Sequence, residues 1–496
     1  MTTQALFTPA WSDLGHFLPE TALIVAFLAA LLGDLLSRRR PAVPFAIALV
    51  GMALAFGWSL AALGEPEQSV LGNLVAVDGM AGFFRVLFSL VGLLTLLLSW
   101  PSEEIMGPTR ENKGEYYALV SLVTAAMMVM AEARDLLMLY LSLETVSITS
   151  YVMAGYLRST LRSTEASVKY LIFGAVSSGI MLYGLSLMYG LAGTLSLDGI
   201  RAAMAARGAP ELSLLVVTVL VLAGMGYKIS MVPFHFWTPD VYEGAPTPIT
   251  AFFSVGPKAA GFALLVRFFY TCLTPVVEHV DWPALIAILS AVTMTYGNVV
   301  AVRQTNVKRM LAYSSIAHVG YLLMGFLMLT GPGLQAILFY LFVYALMNLG
   351  AFIFVVAVNN TLGSEELVDY AGLGYKAPWA AAAMVVFLVS LTGLPPTAGF
   401  VGKFYLFAEV VRRGYYWLAI VGVLNSVISL YYYFLIAKAM YFTPAAEGSP
   451  ETVPVPWLHH LTLGFTAASI LVLAVYWSPL KDMADAAIAA SRLVGG

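Results

Sequence analysis

The sequence predicts an all-α polytopic membrane protein, and three observations carry that prediction. Of its 496 residues, 60% are hydrophobic and only 11% charged, whereas a soluble domain carries about 25% charged residues. Apolar stretches of about 20 residues, the length a helix needs to cross the hydrocarbon, recur along the whole chain. No long polar domain separates them, and the mean hydropathy is +0.85.

Taken in order, the apolar stretches lie near 18–36, 43–63, 78–100, 115–131, 135–157, 165–190, 213–232, 246–275, 283–301, 308–330, 334–358, 379–412, 415–441 and 458–478. They predict about fourteen transmembrane helices. The first has neither the basic flank nor the small-residue cleavage site of a signal peptide, so it reads as a spanning helix. The largest loops are an amphipathic stretch near 193–212, "NNTLGSEELVDYAGLGYKAP" and "TPAAEGSPETVPVPW".

Lys and Arg in short loops set orientation. Arg38, Arg39 and Arg40, then Arg158 and Arg162, then Arg303, Lys308 and Arg309 fall on one side if the crossings alternate. That side is assigned to the cytoplasm, which places both termini away from it. The acidic loops "GEPEQ" and "VEHVDW" fall opposite, while Arg201, Arg207, Arg412 and Arg413 run against the bias.

Composition also excludes several functions. A net charge of −3 leaves no basic patch for nucleic acid. A single cysteine, Cys272, rules out disulfides and thiolate-held iron–sulfur clusters within the chain. The one GxG, Gly224-Met225-Gly226, lies in an apolar run instead of after a strand, so it is no dinucleotide loop.

The chain reads as a single membrane domain, 1–496. Three N-terminal helices (1–113) precede a first repeat (114–275) and a second repeat (283–441), and a C-terminal helix with its tail (442–496) follows. Each repeat contains a proline-broken segment, 230–257 in the first and "SLTGLPPTAGFVGKF" at 390–404 in the second. Broken helices at matching positions of two halves point to a transport site. An odd count of five helices per unit would make two such units inverted, and residue identity between them does not by itself establish the repeat.

Ionisable groups at membrane depth cost about 3 kcal/mol or more, so they face a bundle interior or water and carry function. Glu144 lies half-way along the fifth stretch, and Lys258 and Lys403 are deep in the eighth and twelfth. Glu144 is either a proton-exchanging carboxylate or a protonated carboxyl hydrogen-bonded to a neighbouring hydroxyl. Lys228 and Lys169 lie nearer the ends of their stretches, where a lysine can also snorkel to the interface. Pro233, five residues beyond Lys228, favours a hydrated cavity beside it. His235 and His318 are candidate proton shuttles, with a carbonyl-bonded structural histidine as the other reading. Arg267 and Glu409 read as interface anchors, and Asp240 and Glu243 as capping or loop-pinning residues. Burial disfavours the charged forms of lysine and glutamate alike, and pairing restores them. Separating such a pair therefore moves a proton.

At these residues the resemblance becomes specific. "GYKISMVPFHFWTPDVYEGAPTPITAFFSVGPKAA", "ARDLLMLYLSLETVSITSYVMAGY", "KRMLAYSSIAHVGYLLMG" and "LVSLTGLPPTAGFVGKFYLF" resemble, in order, the subunit N family of respiratory complex I, the proton-translocating NADH:quinone oxidoreductase. The resemblance spans nearly the whole chain and is weakest before residue 70 and in the tail. It implies an antiporter-like fold with helices 4–8 and 9–13 as inverted repeats and helices 7 and 12 broken. It implies proton-transfer roles for Glu144, Lys228, Lys258, Lys403, Lys169 and His235, with Lys228 or Lys169 as partner of Glu144. FMN, iron–sulfur clusters and quinone are then expected on partner subunits, none in this chain, with subunits M and K as neighbours in a bacterial cell inner membrane. Subunits L and M and Mrp-type cation/proton antiporter subunits share the fold, but "FHFWTPDVYEGAPTP" resembles subunit N. The equivalent subunit of a ferredoxin-dependent photosynthetic complex would read nearly the same, and a structural scaffold with degenerate charges is the remaining alternative.

Overall fold

The computed structural model describes residues 13–37, 40–107, 114–208, 210–274, 281–327, 329–445 and 450–491. Its helices are α1 (Asp13–His16), α2 (Leu18–Leu36), α3 (Ala42–Ala61), α4 (Gly79–Ser99), α5 (Glu103–Met106), α6 (Gly114–Glu132), α7 (Leu136–Ala154), α8 (Leu161–Ala192), α9 (Leu197–Arg207), α10 (Glu211–Ile229), α11 (Trp237–Gly244) and α12 (Thr247–Phe268). There follow α13 (Trp282–Ala301), α14 (Val307–Phe326), α15 (Gly331–Leu362), α16 (Leu373–Lys376), α17 (Pro378–Thr392), α18 (Ala398–Arg412), α19 (Tyr416–Phe442), α20 (Trp457–Val475) and α21 (Ser478–Ala489). Arg38, Arg39, residues 277–280 of the acidic "VEHVDW" loop and residues 446–449 lie outside the described residues.

Among the described residues, twelve helices are long and apolar enough to cross a membrane. Local chemistry sets several of their starts. Asp78 and Asp135 cap α4 and α7 by accepting from the backbone N–H groups of Ala81 and Leu137, and Asn306 caps α14 through Arg309. The 20-residue α14 falls outside the apolar set because it spends its length on Ser314, Ser315, His318 and Tyr321. It can do so because almost every residue of it is buried in protein.

Burial ranks the helices. The most apolar window of α12 is wholly buried and that of α15 is 94% buried, whereas those of α2 and α8 are 28% and 33% buried. The outer helices turn Leu, Val and Ile outward, as lipid contact requires. α12 packs against α4, α6, α10 and α15 and forms the axis of the molecule.

Both expected breaks are present. α10 stops at Ile229, Ser230 turns left-handed with φ 68°, and α11 resumes at Trp237. Pro233 lies in the gap and has no N–H to continue the ladder. The freed carbonyls find donors: Trp237 Nε1 bonds Tyr227 O at 3.0 Å, and Met231 N bonds Gly226 O at 2.8 Å. The second break runs from Gly393 (φ 85°) to Thr397.

Gly399, in the first turn of α18, approaches α17 so closely that an added Cβ would stand 1.9 Å from the Ser390 carbonyl oxygen. That oxygen belongs to the backbone and cannot swing away. Gly399→Ala is therefore expected to destabilise the subunit by about 1–3 kcal/mol, read as a lower thermal transition and less subunit in the membrane.

One end of the bundle carries structure beyond the all-α expectation. Gln68–Val70 and Val75–Val77 form an antiparallel hairpin, and Arg134 N bonds Leu74 O at 2.9 Å. Residues 134–136 also pair with the stretch entering α9, through Leu136 N to Leu195 O and Leu197 N to Arg134 O, each 2.9 Å. Alternating polar and apolar residues outside the hydrocarbon are free to pair as strands, which a search for long apolar runs does not register. At the opposite end, Val307 N bonds Glu365 O and Leu367 N bonds Thr305 O, both 2.8 Å.

Candidate functional site

Three lysines are buried at membrane depth, 1–3% exposed each: Lys228, Lys258 and Lys403. That burial excludes the snorkelling alternative for Lys228. They come from α10, α12 and α18, two of them beside the helix breaks.

Lys228 is in the last turn of α10, and its Nζ donates to Ser147 Oγ at 3.0 Å. Ser147 lies one helical turn after Glu144 on α7. Glu144 is half-buried, and its Oε1 is enclosed without a hydrogen-bond partner among the described residues. It borders a cavity of about 460 Å³ between α7 and α8, which Tyr140, Tyr151, Leu171 and Ser178 also line.

Lys258, in the middle of α12, donates to Ser315 Oγ at 2.5 Å, and Ser315 also receives the Tyr344 hydroxyl at 2.7 Å. Its Nζ lies 5.2 Å from the centre of the Tyr242 ring, on the second half of the first broken helix. One turn along α14, His318 bonds Tyr340 through Nδ1 at 2.7 Å and Tyr433 through Nε2 at 3.2 Å. Tyr433 also bonds Ser314. The expected carbonyl-bonded role of His318 is replaced by a hydroxyl on each ring nitrogen, the arrangement in which a tautomer switch relays a proton.

Lys403 completes the row. Its Nζ donates to Thr392 O at 2.8 Å and to Ser426 Oγ at 3.2 Å. Thr392 ends α17, so the break supplies a carbonyl that an unbroken helix would have used internally. Ser426 bonds the Tyr321 hydroxyl at 3.3 Å, and Asn298 links Tyr321 (3.4 Å) with Tyr432 (3.0 Å). Ser315, His318 and Tyr321 recur every third residue on α14. A line of hydroxyl, imidazole and amide groups thus runs between the Lys258 and Lys403 regions.

The other sequence candidates fall elsewhere. Lys169 has a side chain 38% exposed and pairs with Glu165 and Asp240, each at 2.7 Å. Asp240 and Glu243 also hold Arg309, at 2.9 and 2.7 Å, which ties the first broken helix to α14. These groups ring an open cavity of about 250 Å³ at the end opposite the hairpin. His235 packs on Phe236 and Tyr296 and hydrogen-bonds no lysine or serine.

Two expectations need correction. Arg267 is no interface anchor: it is buried and holds Asp78 through two bonds of 2.5 and 2.6 Å. Glu409 is likewise buried, accepting from Thr330 at 2.9 Å and Arg413 at 3.1 Å. Sequence position near a helix end suggested the interface, but the ends of interior helices are covered by neighbouring loops. Tyr321, Ser315 and Asn298 were missed, because a serine or tyrosine in an apolar helix gives no sequence signal until a lysine is placed against it.

Residues 133–429 match the family model described as NADH:quinone oxidoreductase/Mrp antiporter, TM. NADH-quinone oxidoreductase subunit N 2 of Chloroherpeton thalassium is 44% identical, covering 95% of this chain and 94% of the relative. Subunit N of Chlorobium chlorochromatii is 46% identical over 97% and 96%. A chain of respiratory complex I from Thermus thermophilus with bound aureothin superposes with a TM-score of 0.78 at 31% identity, over 94% of this chain and 98% of that one. A chain of the Mrp complex from Dietzia sp. scores 0.83 at 21% identity, over 95% and 97%, a likeness of fold alone. Fold and sequence agree in placing this chain in the NADH:quinone oxidoreductase/Mrp antiporter family, among the subunits N of NADH-quinone oxidoreductase.

Proposed function

We propose that this chain conducts protons across the membrane as subunit N of a membrane-bound NADH:quinone oxidoreductase, driven by electron transfer on partner subunits. The observation that carries the reading is the row of three lysines, each buried at membrane depth and each donating to a serine on a different helix. A fixed structural charge would pair with a buried carboxylate. These lysines instead each donate to a neutral hydroxyl, Lys403 to the Thr392 carbonyl as well, and a hydroxyl can pass a proton either way.

In this reading a shift of the Glu144–Lys228 pair starts the step. The proton then moves from Lys258 through Ser315, His318 and the tyrosines to Lys403. Moving one charge against 100 mV takes about 2.3 kcal/mol, within reach of pairing changes of one to two pKa units. FMN, iron–sulfur clusters and quinone belong to partner subunits, with subunits M and K as the adjoining chains.

The basic residues Arg158, Arg162, Arg303 and Arg309 at the end opposite the hairpin favour that end as cytoplasmic. With α14 and the α17–α18 pair added, fourteen crossings alternate, which supports a place in the bacterial inner membrane with both termini outside the cytoplasm. Counted this way, residues 114–275 and 283–441 form the two inverted units around the breaks.

The first test compares two lysines. In the assembled complex, Lys228→Ala is expected to lower NADH:quinone reductase activity about tenfold, whereas Lys169→Ala stays within about twofold, because Lys169 sits in a partly exposed ion pair. Equal losses would remove Lys228 from its place beside Glu144. The runner-up is an Mrp-type antiporter, favoured by the fold match alone. Purification of the tagged chain decides between them: flavin and iron–sulfur absorbance should come with it, and their absence would favour the antiporter.

A further inference from the structure

A second group of buried charges stands apart from the lysine row, at the hairpin end. Arg85 Nε lies 2.7 Å from Oε1 of Glu20 and 2.7 Å from Oε1 of Glu132, so one N–H is divided between two carboxyl groups. Its Nη2 donates to Glu20 Oε2 at 3.0 Å and to the His16 carbonyl at 3.1 Å. The Phe17 ring covers the guanidinium from 5.8 Å. All three side chains are 0–2% exposed. Glu132 Oε2 is enclosed and has no hydrogen-bond partner among the described residues.

The charges around it do not fill this deficit. Arg267 lies next door, its Nε donating to the carbonyl of Ala131 at 2.7 Å, but it already holds Asp78 through both of its terminal nitrogens. Arg134 is taken by Glu67 at 2.8 Å and Asp198 at 3.0 Å. Among the described residues, counting Glu20, Glu132 and Asp78 against Arg85 and Arg267 leaves three carboxyls and two guanidiniums in this buried cluster. An unbalanced buried charge is strongly unfavourable, and two carboxyls in contact cannot both stay ionised cheaply. A proton on one of them removes the excess charge and gives the pair a hydrogen bond.

We propose that Glu20 and Glu132 share a single proton over Arg85, and that this carboxyl pair is a proton-holding site on the non-cytoplasmic side that empties and refills during turnover. The route to it is structural. Arg267 is nine residues after Lys258 on α12, about 13 Å along the helix axis, and it touches the residue beside Glu132. A change at Lys258 is thus linked to the pair by one buried helix and the Arg267–Ala131 hydrogen bond. Two residues beyond Glu132, Arg134 holds Glu67 and Asp198, and the Asp198 side chain is 48% exposed. The turnover part of the proposal rests on the chain conducting protons, and the existence of the shared proton does not.

Reaction-induced infrared difference spectra of the assembled complex, started by NADH in H2O and in D2O, test it. Wild type should show one protonated-carboxyl C=O band, shifted in D2O, that Glu132→Gln removes. Glu20→Gln should remove the same band, because either change lets the remaining carboxyl ionise against Arg85. The double variant should lose nothing further. Bands that survive both single changes would overturn the proposal, and so would two different bands lost additively. If one variant does not assemble, the other still decides whether the band is present. Lys403→Ala separates this from the functional reading. Normal pumping in that variant would count against the lysine row while leaving the carboxyl band to be judged alone.

Discussion

In the assembled complex, Lys258→Ala and Lys403→Ala are each expected to reduce NADH:quinone reductase activity and proton translocation together, by tenfold or more, about 1.4 kcal/mol of barrier per tenfold. Each change removes an ammonium that donates to a named serine, Ser315 for Lys258 and Ser426 for Lys403. Electron transfer falls with pumping because a tightly coupled machine cannot complete one without the other.

The arginine variants make the prediction sharper. A guanidinium keeps a positive charge but does not give up its proton at physiological pH. Lys258→Arg and Lys403→Arg should therefore stay inactive if the amine must lose a proton, and recover activity if only a fixed charge is needed. NADH oxidation and dye-detected acidification in vesicles measure both. Wild-type rates in Lys403→Arg would show that Lys403 is a static charge.

The second large effect concerns stability. Arg267→Met is expected to cost about 3–5 kcal/mol, because it strands Asp78 in a buried site without its cation. The subunit should accumulate poorly and the purified complex should melt earlier. Adding Asp78→Asn removes the stranded charge, so the double variant should regain much of the loss. If the single and double variants are equally unstable, the damage lies in packing around α12 and not in the ion pair.

The distribution of what could be read follows from physics at two ranges. A spanning helix must satisfy its backbone internally and turn apolar side chains outward, so length and hydropathy announce it locally. The exceptions prove informative. α14 departs from the apolar rule because protein, not lipid, surrounds it. The hairpin at 68–77 obeys strand chemistry in a segment that water can reach. Pro233 and Pro395-Pro396 announce the breaks, since a missing N–H is a property of one residue.

Partnership is a different matter, because it depends on which helices touch. Lys169 and Lys228 look alike in sequence, and only packing puts Lys228 on Ser147, one turn along α7 from Glu144, while sending Lys169 to Asp240. The same holds for Arg267, which the chain's linear order places near a helix end and the fold places over Asp78. Glu20, Arg85 and Glu132 are separated by up to 112 residues and meet at one nitrogen.

By itself, then, the sequence determined a lipid-solvated helical bundle, its two broken helices and the lysines and glutamate deep in its spanning stretches, because each of these costs or gains free energy within a few residues of where it is written. The tertiary structure alone decided which groups pair, which contact hydroxyls and which are stranded without a counter-charge. Those outcomes turn on distances of about 3 Å between helices, over which desolvation and hydrogen bonding change sharply.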